Sequence, residues 1–387
     1  MVTLSVIYML FNAVHTCPTS LTRLFFASCA YLGNYVTRWR LSIWHRNHPL
    51  LLPSMMSANP YVKGAKLTVT ERHPPPPPED PDRFLLPDDI DETQSPLTRC
   101  VNNPPTTGTP GSETLRLNVV DTLRTGNDRL SQVVMVHLLS GPRFGVCAVA
   151  KFYDPLYFLD NDEDLDPFGT VDVRYSRESA IYRHLEARGQ PCIASFWGSY
   201  STDIPLGLGA FRTVRLILLG YTPGVYMNLL QPADFSQVIR KSLMKAIINA
   251  ETQLYKRDIC FMDLHPRNIL VQGLIGHTTP NPQITFINFT NADMGRSWTS
   301  EYPTVEAEFL PGTYISPILR WGHDRVHPFT SYFEGWIDWE WDAWLEKEYR
   351  HDVGGITDYM EQLWRRNPED EGHAREIDLD TFESPPS

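Results

Sequence analysis

Hydrophobic and polar positions alternate along residues 115–153 in three short runs. Leu115-Arg-Leu-Asn-Val-Val120, Val133-Val-Met-Val-His-Leu-Leu139 and Val146-Cys-Ala-Val-Ala-Lys-Phe-Tyr153 are rich in β-branched and aromatic residues, the composition that suits a pleated, half-buried surface. The turn formers Gly126-Asn127-Asp128 and Gly141-Pro142 separate them, so the pattern predicts an antiparallel meander of three strands. The period then lengthens. Ala180, Ile181, Tyr182 and Leu185 sit on a three-to-four spacing, which predicts a helix over about 176–188. Two more strands are expected at Ile193–Tyr200 and Thr213–Leu219. Beyond Pro232, a stripe of Val238, Leu243, Ala246, Ile247, Ala250 and Leu254 predicts a helix over about 235–256. Short strand-like pieces follow at Ile259–Met262, Ile269–Val271 and Ile284–Phe289, around polar loops. A sheet with one helix, then a helical region with short strands, is an α+β order.

Charge divides the chain further. Residues 1–70 hold no Asp or Glu and six of the 34 basic residues, so a basic leader, acid-free as far as residue 70, is expected over 1–72. Its two apolar stretches, Met1–Val14 and Leu24–Val36, are interrupted by polar residues or shorter than the ~20 residues a membrane span needs. A cytoplasmic location is the plain expectation; the alternative is a membrane-anchored or organellar one through residues 1–45, because spaced arginines without acids resemble a transit peptide. Residues 73–112 hold eleven of the 32 prolines, among them the run Pro74–Pro78. Such a run favours extended polyproline II, and the acidic cluster that follows is too polar for a core, so this stretch is expected to be a spacer. Residues 367–387 are expected to be a disordered acidic tail.

Composition excludes several classes of protein. The six cysteines are scattered singly with no CxxC pair, which rules out a disulfide scaffold and a zinc ribbon. A formal net charge of −12 argues against a nucleic-acid partner.

The sharpest chemistry lies in Phe261-Met-Asp263-Leu-His-Pro-Arg-Asn268-Ile-Leu-Val271. A carboxylate followed five residues later by a carboxamide, on a loop between hydrophobic runs, suits phosphoryl transfer. The carboxylate accepts a hydroxyl proton, and the amide oxygen can hold Mg²⁺. This segment resembles the catalytic loop of protein kinases, and its Asp-Leu-His-Pro-x-Asn form is similar to that of the aminoglycoside and choline kinase branch. Upstream, Ala148-Val-Ala-Lys151 resembles the kinase strand whose lysine reaches the α- and β-phosphates. Glu178-Ser-Ala-Ile-Tyr182 resembles the helix supplying that lysine's glutamate. Leu216-Ile-Leu-Leu-Gly220-Tyr-Thr-Pro-Gly224 resembles the strand and hinge on which adenine sits, and Leu310–Pro317 falls where kinases end their activation segment.

The chain is thus similar to divergent kinase-like proteins of filamentous fungi over roughly residues 115–345. The resemblance implies a two-lobed protein-kinase-like fold over 113–366, with a small antiparallel β-rich N-lobe (about 113–222) and a mainly helical C-lobe (about 223–366). It implies ATP and Mg²⁺, with Asp263, Lys151 and Glu178 in catalysis. Lys151, Leu218, Gly220 and Asn268 would bind the nucleotide, and Asn268 and Asn288 the metal. The acceptor would be a protein Ser/Thr or a small-molecule hydroxyl.

Three departures bear on activity. Asn288 stands where kinases hold their principal Mg²⁺ aspartate, Gly126 stands alone where a glycine-rich loop belongs, and Phe261-Met262 replaces the His-Arg before the catalytic aspartate. The rival reading is a catalytically dead pseudokinase acting as a scaffold. The tryptophan-dense stretch within 331–350 is the expected protein-binding segment, since Trp336, Trp339 and Trp341 fall too close for one helical stripe.

Overall fold

The computed structural model describes residues 59–77, 94–127, 129–158, 165–189, 192–207, 210–274, 282–294, 314–322, 329–358 and 360–361. Both apolar stretches of the leader, the acidic cluster after the proline run, residues 310–313 and the acidic tail lie outside them. Among the described residues no helix is long and apolar enough to cross a membrane.

The chain is mixed α and β, and its main sheet is antiparallel. Six strands close into a barrel in the order β1-β2-β3-β4-β6-β5: β1 Lys66–His73, β2 Thr109–Arg124, β3 Gln132–Leu138, β4 Cys147–Tyr153, β5 Phe196–Gly207 and β6 Ala210–Gly220. Alternation along the strands builds two cores at once. Ala148, Ala150 and Phe152 of β4 and Leu216 and Leu218 of β6 fill the barrel with Val134, Val136 and Leu117. The intervening Tyr153, Ile217 and Leu219 point outward into a second core made with the helices.

The meander expected over 115–153 is present, extended by β5 and β6, but order begins earlier than the expected boundary at 113. β1 lies in the stretch assigned to the leader, and it pairs with both β2 and β5 to close the barrel. Only Val69 of β1 is buried, so the strand carries almost no hydrophobic signal of its own. Its place is fixed by partners far along the chain, and by a buried cluster beside it. The Tyr61 hydroxyl donates to Asp154 Oδ2 at 2.6 Å, and Arg212 from β6 pairs with the other oxygen of the same carboxylate. Part of the expected spacer is also folded: Ser95 caps the short helix α1, Pro96–Asn102.

Helix α2, Pro167–Glu186, starts nine residues before the expected 176. Asp166 caps it, accepting from the Phe168 and Gly169 N–H groups at 3.0 and 2.8 Å, with Pro167 in the first turn. Burial on several sides, including Thr170, Ser176 and Ser179, blurs the apolar stripe that would reveal this first half. Helix α3, Gln237–Tyr255, is capped by Ser236 and buries Leu243, Ile247 and Leu254; Val238, assigned to the stripe, is 75% exposed. The remaining strands are short: β7 Val225–Tyr226, β8 Ile259–Phe261, β9 Ile269–Gln272, β10 Gln283–Phe286 and β11 Ala292–Met294. They form a β10-β9-β7 sheet and a β11-β8 pair.

The helices α4, Pro317–Arg320, and α5, Trp341–Glu348, close the second core. Arg320 is buried and forks onto Glu251 of α3; its Nη2 donates to Thr252 Oγ1 at 2.7 Å, and its guanidinium lies 4.2 Å from the Tyr255 ring. Trp341 Nε1 donates to the Trp321 carbonyl at 2.7 Å. The tryptophans of the dense stretch lie in or against one core. Trp336, Trp341 and Trp344 are buried in the core, and half-buried Trp339 packs against it with the Lys241 ammonium 5.1 Å from its ring.

Candidate functional site

Lys151 lies on the outer side of β4, in register with Val133 on β3 and Ile217 on β6. Its ammonium donates to Glu178 Oε2 of α2 at 2.6 Å. Glu178 is fully buried, and the Tyr153 hydroxyl and the Phe289 N–H (3.1 Å) also donate to it. Three donors therefore converge on one carboxylate, fixing its rotamer and, through it, the lysine's. Burial pushes the Lys151 pKa down, with Glu178 opposing the shift, and burial together with Glu178 pushes the Tyr153 hydroxyl well up.

The Asp263–Asn268 loop is held by its own atoms. His265 N–H donates to the Asp263 carbonyl at 2.9 Å, and Asn268 N–H to the His265 carbonyl at 2.8 Å. Asn268 Nδ2 donates to the Asp263 carbonyl at 2.9 Å and to its Oδ2 at 2.8 Å, while Arg267 Nη2 reaches Oδ1 at 3.0 Å. His265 Nδ1 accepts from the Arg267 N–H at 3.1 Å, capping the 3₁₀ turn Pro266–Asn268.

Asn288 joins the two halves. Its Oδ1 accepts from Lys151 Nζ at 2.6 Å and from the Thr290 hydroxyl at 3.0 Å, and its Nδ2 donates to Asn268 Oδ1 at 3.1 Å. Its backbone is left-handed, φ 66° and ψ 70°, a conformation that asparagine and aspartate tolerate better than other side-chain-bearing residues. Lys151, Glu178, Asp263, Asn268 and Asn288, far apart in sequence, thus form one hydrogen-bonded chain.

A column of rings underlies that chain. Phe196 of β5 stacks on Tyr182 of α2 (5.9 Å), and Tyr182 meets Phe289 edge-on at 5.1 Å. Phe289 lies 4.9 Å from Phe261, which lies 5.5 Å from Phe286. Phe261, two residues before Asp263, is a member of this column. The column rigidly connects α2, which presents Glu178, to the strand that delivers Asp263.

Leu218 and Gly220 are not members of that hydrogen-bonded chain. The Leu218 side chain fills the barrel interior, because the alternation of β6 turns Ile217 and Leu219 outward instead, and its backbone lies between Ala150 and Gly198 in two ladders. Gly220 N–H donates to the Ser195 carbonyl at 2.8 Å.

Three residues escaped the sequence reading. Gln132, fully buried at the start of β3, grips Gly126 from both sides: it accepts from the Gly126 N–H and donates to its carbonyl, each at 2.8 Å. Arg124, at the end of β2, is in register with Val133, which in turn is in register with Lys151, so all three share the outer face of the sheet. Burial and the neighbouring Arg129 and Arg267 push the Arg124 pKa down to about 10. Thr290 steadies Asn288. An arginine or threonine beside a turn looks solvated in a sequence, so no local signal marks them.

Comparison with protein-family models and with curated protein sequences found no match.

Proposed function

We propose that this chain is a two-lobed protein-kinase-like domain, the barrel and α2 against the helical remainder, that transfers the γ-phosphoryl group of ATP to a hydroxyl. One observation carries the reading. The pair Lys151–Glu178 from the sheet and helix meets the pair Asp263–Asn268 from the loop through a single side chain, Asn288. Lys151, held in one rotamer by Glu178, would bind the phosphates without first being ordered. Asp263 would accept the proton of the acceptor hydroxyl as the new O–P bond forms and the bond to the ADP oxygen breaks. Arg267 and Asn268 keep its carboxylate fixed for that purpose. The column of rings supports the same reading, since it couples the glutamate's helix to the base. Replacing Asp263 by Ala should abolish ATP turnover and leave the melting temperature of the chain within a few degrees. Turnover that survives the substitution would exclude Asp263 as the base.

A second reading, a pseudokinase that binds without transferring, is favoured by Asn288. Mg²⁺ does not fit between Asn288 and Asn268. The amide offers no negative charge to offset dehydration of the cation, and its N–H occupies the Asn268 oxygen that would be a ligand. ATP bound by the wild-type chain with no turnover under any metal condition would establish this reading over the first.

A further inference from the structure

The two carboxamides have a direction that chemistry fixes from both ends. The Lys151 ammonium can only donate, and the ionised Asp263 carboxylate can only accept. Between them the chain runs one way: Lys151 Nζ to Asn288 Oδ1, Asn288 Nδ2 to Asn268 Oδ1, Asn268 Nδ2 to Asp263 Oδ2. Turning either amide over would set N–H against N–H or oxygen against oxygen. The oxygens a cation would use are therefore engaged, and the position of the missing carboxylate presents a donor.

Three cationic side chains stand around this chain of amides: Lys151 and Arg267, paired with Glu178 and Asp263, and Arg124. Lys151 and Arg124 share one face of the sheet on either side of Val133, and Arg267 lies against Asp263 at 3.0 Å. Burial and the charges of Arg129 and Arg267 weigh on Arg124. In contrast, the Gly126 N–H is already held by Gln132 and is not open to a phosphate. What this face offers a phosphate is cationic side chains, and a guanidinium fork matches phosphate oxygens well. A divalent cation added here would meet like charges, with Asp263 already paired to Arg267.

We propose that this cluster takes a nucleoside polyphosphate as the free anion, without a divalent metal, held by Arg124 together with Lys151 and Arg267. This inference rests on the nucleotide-cleft reading above and removes the metal from it.

The test is calorimetric titration of the full chain with ATP and with inorganic tripolyphosphate, in EDTA and in Mg²⁺. Affinity in EDTA should equal that in Mg²⁺ within about twofold, or exceed it. Arg124→Gln and Lys151→Met should each weaken binding in EDTA by about tenfold or more, the size of one charge-assisted contact. Arg124→Lys should recover part of that loss, which separates lost charge from a misfolded loop. Asn288→Asp preserves shape and tolerates the same left-handed backbone, and it should make tight binding depend on Mg²⁺ or Mn²⁺. Wild-type binding that requires Mg²⁺ would overturn the inference and leave the nucleotide cleft standing. No binding of ATP in either condition would overturn both.

Discussion

Glu178 is fully buried and is the shared acceptor of an ammonium, a phenol and a backbone N–H. Its two sides are not equivalent under mutation. Truncation to Ala strands all three donors in a low-dielectric interior, one of them charged, and should cost about 3–5 kcal/mol of stability. Lys151→Met removes a charge that burial already disfavours, keeps most of the stem's packing, and leaves Glu178 with its other two donors. Its cost should be smaller, about 1–3 kcal/mol. Urea denaturation of the two variants measures the difference. Equal losses would mean that Tyr153 and Phe289 contribute nothing to holding the carboxylate. The same asymmetry explains why Glu178 was legible in the sequence as half of a pair, while Tyr153, two residues from Lys151 on the same side of β4, was not. A motif records the charged partners, and the neutral donor that completes the shell is supplied by strand alternation.

At the level of elements, β1 decides where the folded part begins. It supplies the two ladders that remove the exposed edges of β2 and β5, and the segment before it buries Tyr61 against Asp154 and Arg212. A chain beginning at residue 113 leaves both edges open, cuts into β2 and takes the Tyr61 hydroxyl away from the buried Asp154–Arg212 pair, a combination that invites aggregation. A chain beginning at residue 59 keeps all of it. The shorter fragment should therefore be insoluble or unfolded and the longer one folded, as circular dichroism and size-exclusion chromatography would report. A soluble, cooperatively melting 113–387 fragment would mean that the barrel tolerates an open edge. Asp154→Ala in the full chain should cost about 3–5 kcal/mol, because Arg212 would keep its charge without its partner. Strands β2 to β4 and helix α3 were legible because each buries a face with a clear period. Strand β1 was not, since a single buried valine and an acid-free neighbourhood look like leader. The start of α2 was hidden because a helix buried on several sides has little stripe to read.

For the molecule as a whole, the recognisable chemistry lay in the order Lys151, Glu178, Asp263, Asn268, four side chains that the fold brings into one hydrogen-bonded chain through Asn288. What the sequence could not convey is the sense of that chain. The direction of two amides depends on which neighbours can only donate and which can only accept, and that is known only once Lys151 and Asp263 are in position. The same dependence governs stability. The barrel core and the outer core are two apolar clusters, but β4 and β6 send alternate residues into both: Ala150 and Leu218 inward, Tyr153 and Leu219 outward. Neither cluster can lose its strands without uncovering the other. The column from Phe196 to Phe286 lies within the outer core, and with the Lys151–Asn288 contact it joins β4, β5 and α2 to the segments that follow α3. Unfolding should therefore be a single cooperative transition. Tryptophan emission samples mainly the outer core, through Trp321, Trp336, Trp341 and Trp344, while far-ultraviolet circular dichroism samples the strands and helices together. The two probes should give coincident melting curves. A fluorescence transition that precedes the loss of secondary structure would mean that the helical part melts off an intact barrel, and that the shared strands do not bind the two cores into one unit.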